Sequence, residues 1–267
     1  MYPKIFWRDM ATTAFEKDTS EWIAVFPLAA IEQHGPHLPV GVDSFIAEGM
    51  IARCAEALPT DSCVTFLPLQ QVCKSNEHKS FAGTLTLEWD TSVNAWLDIG
   101  ASLQRAGIKK LVIITSHGGN VAPIEIVARE LRQRFGMLVV STSWGRLGKW
   151  QEVYDYGPVV TDIHGGLSET SLMLVFRPDL VNQETATNFR SSQEEMKSNF
   201  QHLGWHGSNA NAAWLSEDLN PAGVVGDASS ASAEKGEEDI QHMVSGFCQL
   251  MKEVKTCSAP EGGGNAG

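Results

Sequence analysis

Residues 111–120 read Leu-Val-Ile-Ile-Thr-Ser-His-Gly-Gly-Asn, and this stretch decides the architecture. Five consecutive apolar or β-branched residues, 111–115, have the composition of a strand buried on both faces. Behind them Ile124, Val127, Ala128, Leu131 and Phe135 recur at helical spacing as far as Gly136, a residue suited to a C-terminal cap. Residues 138–141 then return to a short apolar run. Working upstream, 22–28 (WIAVFPL) and 64–67 read as further strands. Residues 44–58 carry Ile46, Met50, Ile51, Cys54 and Leu58 on one helical stripe. Asp90 is placed to cap another helix, with Val93, Trp96, Leu97, Gly100 and Leu103 on its face and Gly107 at its end. A last helix, about 234–254, is apolar at Ile240, Met243, Val244, Phe247 and Leu250. Strands alternating with helices predict an α/β fold, a three-layer αβα sandwich around a mostly parallel sheet. In such sheets ligands collect beyond the carboxyl ends of the strands.

The chain has 267 residues, 43% hydrophobic and 19% charged, which excludes a disordered chain. One domain is expected over 1–257, followed by a mobile tail at 258–267, SAPEGGGNAG. No apolar run is long enough to span a bilayer, and the start, MYPKIFWRDM, carries no secretory pattern. The formal net charge of -12 argues against nucleic acid as the partner. Five cysteines without CxxC spacing fit a reducing cytoplasm and offer no thiolate cluster. No GxGxxG or GxxxxGK[ST] is present, which disfavours a nucleotide-binding oxidoreductase.

The polar residues gather where the strands end. After 22–28 come Glu32, Gln33, His34 and Gly35, with Asp43 at the mouth of the next helix. Glu32 and His34 alternate in an extended segment, so both side chains face one side. His117, Gly118 and Gly119 follow the strand 111–115. Imidazole plus carboxylate without thiolate suits zinc, manganese or iron, and a carboxylate can bridge two ions. His164 precedes a helix that continues through Leu172 to Val175, and Glu169 lies in its first turns. Glu169 is either a ligand or a carboxylate favoured only by the helix dipole. Lys74, Ser75, Asn76, Glu77 and His78 are too polar for a core and read as a loop. Trp144 stands between a core and a substrate-wall reading. His37, His202 and His242 read as solvated or hydrogen-bonded histidines.

On these residues the chain resembles the creatininase (creatinine amidohydrolase) family, from about Trp22 to Lys255. The carriers are Glu32-Gln33-His34-Gly35 with Asp43, Ser75-Asn76-Glu77-His78 with Phe81-Ala82-Gly83-Thr84, Ser116-His117-Gly118-Gly119-Asn120, and His164-Gly165-Gly166 with Glu169-Thr170-Ser171. The resemblance implies an αβα fold, two divalent metal ions (zinc, with manganese or iron as alternatives), hydrolysis of a cyclic or linear amide, and a homo-oligomer, often a hexamer. It implies that Glu32 and His117 hold one metal, His34 the other, and that Asp43 bridges them. The family's own enzyme adds a Glu two residues after the motif His, where this chain has Gly119. In relatives of the Gly-Gly form the Glu of the Glu-Thr-Ser block, here Glu169, completes the site. Gly118 replaces a substrate-contacting Tyr, Ile163 an acid, and a pocket Trp is replaced near Val160; Trp144 matches a second pocket Trp. These departures point to a small-molecule substrate other than creatinine.

The expected mechanism uses two metals to bring a shared water toward a pKa of about 7. His164 is expected to deliver a proton to the leaving nitrogen, with Glu169 beside it, and the Gly118 and Gly119 amides to contact the oxyanion or substrate. Ser75, Glu77, His78 and Trp144 are the remaining substrate-binding candidates. The competing readings are hydrolysis of a lactone or of a cyclic ketone or sugar-acid derivative, and a non-catalytic metal-binding module. Loops near 74–80, 144–162 and 200–220, with His202, Trp205, His206 and Trp214, are expected to set specificity.

Overall fold

The structure, a computed structural model, describes residues 2–154, 156 and 162–259. Its centre is a parallel sheet of β1 (Ile23–Leu28), β2 (Val64–Phe66), β3 (Lys110–Thr115) and β4 (Leu138–Ser143) in the order β2-β1-β3-β4. Between the strands run α1 (Val42–Ala57), α2 (Trp89–Arg105) and α3 (Val121–Phe135). After β4 come the short helices α4 (Trp144–Leu147) and α5 (Trp150–Val153), then α6 (Leu167–Phe176). Two-residue strands β5 (Asn188–Phe189), β6 (Leu203–Gly204), β7 (Ala210–Asn211) and β8 (Gly226–Asp227) alternate with α7 (Gln193–Asn199) and α8 (Ser216–Leu219). The long α9 (Ala233–Thr256) follows.

Strand residues alternate between two cores, as a period of two requires. Ile23 and Val25 of β1, with Val112 and Ile114 of β3, pack under α1, α6 and α9. Ala24, Phe26 and Leu28, with Leu111 and Ile113, pack under α2 and α3. The three-layer αβα sandwich is therefore the observed fold. Its helices begin and end close to the expected positions, and Gly136 caps α3 in the left-handed conformation at φ 66. One local expectation needs correction. Asp90 lies inside the first turn of α2, after Glu88 at the cap position, where it favours the helix through the dipole and its carboxylate accepts from the Thr91 N–H at 2.9 Å. The expected tail lies outside the described residues from 260 onward, as does Val160. Among the described residues no helix is long and apolar enough to cross a membrane.

The chain passes from β1 outward to β2, then crosses to β3 on the other side of β1. The strand order reverses between β1 and β3, so their carboxyl ends open onto the crevice where α/β sheets place ligands. The register sets Leu28 level with Thr115, and both strands release their chains at one height.

On the opposite side α9 presses on α6, the helix that carries Glu169. A Cβ at Gly236 of α9 would stand 2.7 Å from the Ser171 carbonyl carbon of α6. Helix propensity alone favours Gly236→Ala by about 1 kcal/mol. The collision is with main chain that cannot rotate away, so the variant is expected to lose about 1–3 kcal/mol. The urea unfolding midpoint reads which effect prevails.

Candidate metal centre

Glu32, His34, Asp43 and His117 meet at the carboxyl ends of β1 and β3, all buried, and α6 brings Glu169 to the same point. Two candidate triplets for a metal ion result, each with its donor atoms within 4.8 Å of one another: Glu32, Asp43 and His117, and His34, Asp43 and Glu169. Asp43 belongs to both. Glu32, His34 and His164 form a third such group.

Each imidazole here is tied to the main chain through one nitrogen. His34 Nδ1 lies 3.0 Å from the Glu32 carbonyl oxygen, His117 Nε2 3.0 Å from that of Lys74, and His164 Nε2 2.7 Å from that of Gln33. A carbonyl oxygen only accepts, so each of these nitrogens carries the hydrogen. The opposite nitrogens then face carboxylates. His117 Nδ1 is 3.2 Å from Glu32 Oε1 and 3.9 Å from Asp43 Oδ2. His34 Nε2 is 3.6 Å from Glu169 Oε2 and 4.0 Å from Asp43 Oδ2. Glu32 Oε1, His34 Nε2 and Asp43 Oδ2 are buried without a hydrogen bond of good geometry. Imidazole nitrogens aimed at carboxylate oxygens, with the far N–H on a carbonyl, suit a divalent cation that displaces any proton between them.

The charges of these groups are strongly coupled. Burial pushes Glu32 up, but His117, through its charge and hydrogen bond, and then His164 and His78 outweigh it and hold the carboxyl well below its usual range. Burial and the Glu32 charge push Asp43 well above its usual range. His117 is held well above the usual imidazole value, because Glu32, Glu77 and Asp43 outweigh its burial. Burial lowers His34 to about 4, against the pull of Glu32, and burial with the His34 charge lowers His164 to about 4.

Above these groups lies a cavity of about 570 Å³. Glu77, His78, His117, Gly118, Gly119, His164 and Glu169 all line it. Glu77 pairs with Lys74 at 2.7 Å and stands 3.4 Å from His117 Nε2. A Cβ at Gly119 would collide with Glu77 Oε1 and His117 Nε2, whereas at Gly118 it would meet nothing within 4 Å. Glycine at 119 is thus what lets the Glu77 carboxylate reach His117.

Two expected substrate contacts are corrected. Trp144 is 2% exposed, packs in the core against Phe247 and is absent from the cavity wall, because β4 runs two residues longer than its apolar run and α4 turns the ring inward. Ser75 is also buried, and its hydroxyl donates to Glu32 Oε2 at 2.5 Å. Of the loop at 200–220, Trp205, Asn211 and Trp214 line the cavity, whereas His202 is exposed against Asn209. His37 is buried, with Nε2 3.0 Å from Thr170 Oγ1.

The sequence reading missed three positioning groups. Asn120 donates to the Ala29 carbonyl at 2.9 Å and accepts from the Lys74 N–H at 3.2 Å, stitching three segments of the site together. Gln193 accepts from the Trp205 N–H at 2.7 Å and donates to the His206 carbonyl, holding the turn that carries Trp205. Gln33 is buried beneath His78 and His164. Only the position of Asn120 and Gln33 inside motif-like runs hinted at them.

A sequence model of the family described as creatinine amidohydrolase (Creatininase) matches residues 8–251. The creatinine amidohydrolase of Pseudomonas putida is 29% identical over 86% of this chain and 89% of its own. The mycofactocin precursor peptide peptidase of Mycobacterium ulcerans is 28% identical over 88% and 87%, respectively. The 3-dehydro-scyllo-inosose hydrolase of Thermotoga maritima is 25% identical over 87% and 77%. A solved structure named creatininase Mn superposes with a TM-score of 0.75 at 25% identity, covering 96% of this chain and 100% of that one.

Ser75→Ala removes the hydrogen bond from the Ser75 hydroxyl to the buried Glu32 Oε2. The expected cost is about 1–3 kcal/mol in a denaturant titration of metal-free protein. A substrate contact alone would leave that stability unchanged.

Proposed function

Because this chain belongs to the creatininase family, we propose that it is a divalent-metal-dependent hydrolase of an amide C–N bond, acting on a small molecule or short peptide other than creatinine. The observation that carries the reading is the sharing of Asp43 between two triplets in which Glu32 Oε1, His34 Nε2 and Asp43 Oδ2 are buried without hydrogen-bond partners. In this reading Glu32, Asp43 and His117 hold one ion, and His34, Asp43 and Glu169 the second. Such a pair of ions supplies an acidified water and a Lewis acid for the substrate carbonyl.

The protein's own groups do the rest. Gly118 leaves the main chain open to the substrate, and the Gly118 and Gly119 amides, at the start of a helical segment, are donors for the developing oxyanion. A water oxygen forms the new bond to the carbonyl carbon, the C–N bond breaks, and the nitrogen takes up a proton. His164 is the carrier of that proton: its Nε2 is engaged by the Gln33 carbonyl, and its Nδ1 remains. Glu77 and His78 on the cavity wall, with Lys74, offer an acceptor and a donor to a polar part of the substrate. Trp205 and Trp214 supply apolar wall. The cavity volume falls in the usual range for small-molecule sites. Gly118 and Ile163, where the resemblance expects a Tyr and an acid, support a substrate unlike creatinine. A homo-oligomer remains part of the proposal on the family resemblance.

Chelation is expected to abolish turnover on an amide panel, and Zn²⁺ or Mn²⁺ to restore it, whereas Asp43→Ala stays inactive at any metal concentration. Elemental analysis is expected to give two ions per chain. Ligands must lose protons to bind, and Asp43 and His117 both hold theirs more tightly than usual, so apparent metal affinity falls as pH falls. Full activity in metal-free protein, or turnover confined to a parallel lactone panel, would overturn the reading.

A further inference from the structure

Gln33 sits between two of the ligand residues, yet it is absent from the cavity wall and its amide is engaged beneath it. Main-chain groups hold that amide at both ends. Oε1 accepts from the Gly35 N–H at 3.0 Å, and Nε2 donates to the Gly223 carbonyl at 2.6 Å. A peptide N–H only donates and a carbonyl only accepts, so the two ends of the amide cannot be exchanged. The second hydrogen on Nε2 is left for His78 Nδ1, 2.9 Å away. That ring nitrogen must therefore be bare.

The main-chain carbonyl of the same residue lies 2.7 Å from His164 Nε2, which must therefore carry a hydrogen. Gln33 Nε2 and His164 Nε2 are 3.2 Å apart, but both are donors whose hydrogens are committed elsewhere. Gly223 completes the device. Its φ is +75, and a Cβ there would stand 2.6 Å from Gln33 Nε2, so only glycine brings its carbonyl to the amide.

We infer that Gln33 is a positioning residue that sets the tautomers of two imidazoles, holding both His78 and His164 with the hydrogen on Nε2. The two rings then present opposite characters to one atom. His78 Nε2–H points its hydrogen toward Glu32 Oε1 at 3.5 Å, whereas His164 turns Nδ1 toward the same oxygen at 3.4 Å. His78 thereby turns a fixed N–H toward the carboxylate, an electrostatic contact longer than a hydrogen bond of good geometry. His164 keeps one ring atom, Nδ1, able to exchange a proton. Burial lowers both rings, His78 to about 3 and His164 to about 4, which agrees with neutral imidazoles. The tautomers follow from hydrogen bonding alone; their use in proton transfer rests on the hydrolase reading.

Zinc-loaded protein carrying ¹⁵N-histidine tests this through long-range ¹H–¹⁵N spectra, with the signals assigned from His78→Gln and His164→Gln. Wild type is expected to show a bare Nδ1 and protonated Nε2 on His78, and a protonated Nε2 on His164. Gln33→Leu is expected to give His78 a mixture of tautomers, and Gln33→Glu, which cannot donate, to move its proton to Nδ1. Loss of this support is expected to lower kcat by about tenfold or more at unchanged zinc content. A proton on His78 Nδ1 in the wild type, or a bare His164 Nε2, overturns the inference even if no variant folds. Unchanged His78 signals in both folded variants overturn it as well. The spectra require no substrate, so an inactive protein with the expected tautomers counts against the hydrolase reading alone.

Discussion

The site depends on hydrogen bonds from three imidazoles to three main-chain carbonyls. His34, His117 and His164 each give one N–H to the backbone, at Glu32, Lys74 and Gln33. Their other nitrogens are thereby committed to face Glu32, Asp43 and Glu169. Burying an ionised carboxylate without a partner costs several kcal/mol. Two acceptors brought face to face repel unless a proton or a cation stands between them. The fold concentrates that conflict at a single point, and a divalent cation resolves it with the donors already oriented.

The sheet supplies the rigidity this needs. β1 and β3 are adjacent, level at their carboxyl ends and buried on both faces, so Glu32 and His117 follow main chain that is packed on both sides. Asn120 and Ser75 then tie the loops down, the first to the Ala29 carbonyl and the second to Glu32 itself. Glu169 comes from farther away, on a helix packed against α9 and α1. Its Oε2 also accepts from the Gly165 N–H at 2.6 Å, so the carboxylate is held in place by its own helix start. Close approach at Gly236 is therefore coupled to the ligand set through α6.

The layers were legible because burial leaves a period in the sequence. Apolar runs such as 111–115 and helical stripes such as Val93, Trp96, Leu97 and Leu103 reflect one-dimensional patterns that neighbours along the chain suffice to express. The gathering of Glu32, His34, Asp43 and His117 was legible for a related reason: strand ends in a parallel sheet share one edge. Trp144 and Ser75 were misjudged because proximity to a strand end or a polar loop says nothing about the direction of a side chain. Trp144 turned into the core beside Phe247, and Ser75 turned under Glu32.

From the amino-acid order alone came the αβα layers, the donor types and the strand ends that carry them, because these are local properties of composition and spacing. Tertiary structure alone decided that Trp144 and Ser75 turn away from the cavity, that Gln33 is held beneath it, and which nitrogen of each histidine turns to the carboxylates. Those outcomes depend on partners distant along the chain: the Gln33 amide meets the Gly223 carbonyl across 190 residues of sequence. A hydrogen bond is set by the positions of both its ends, and no pattern around Gln33 records where Gly223 will lie.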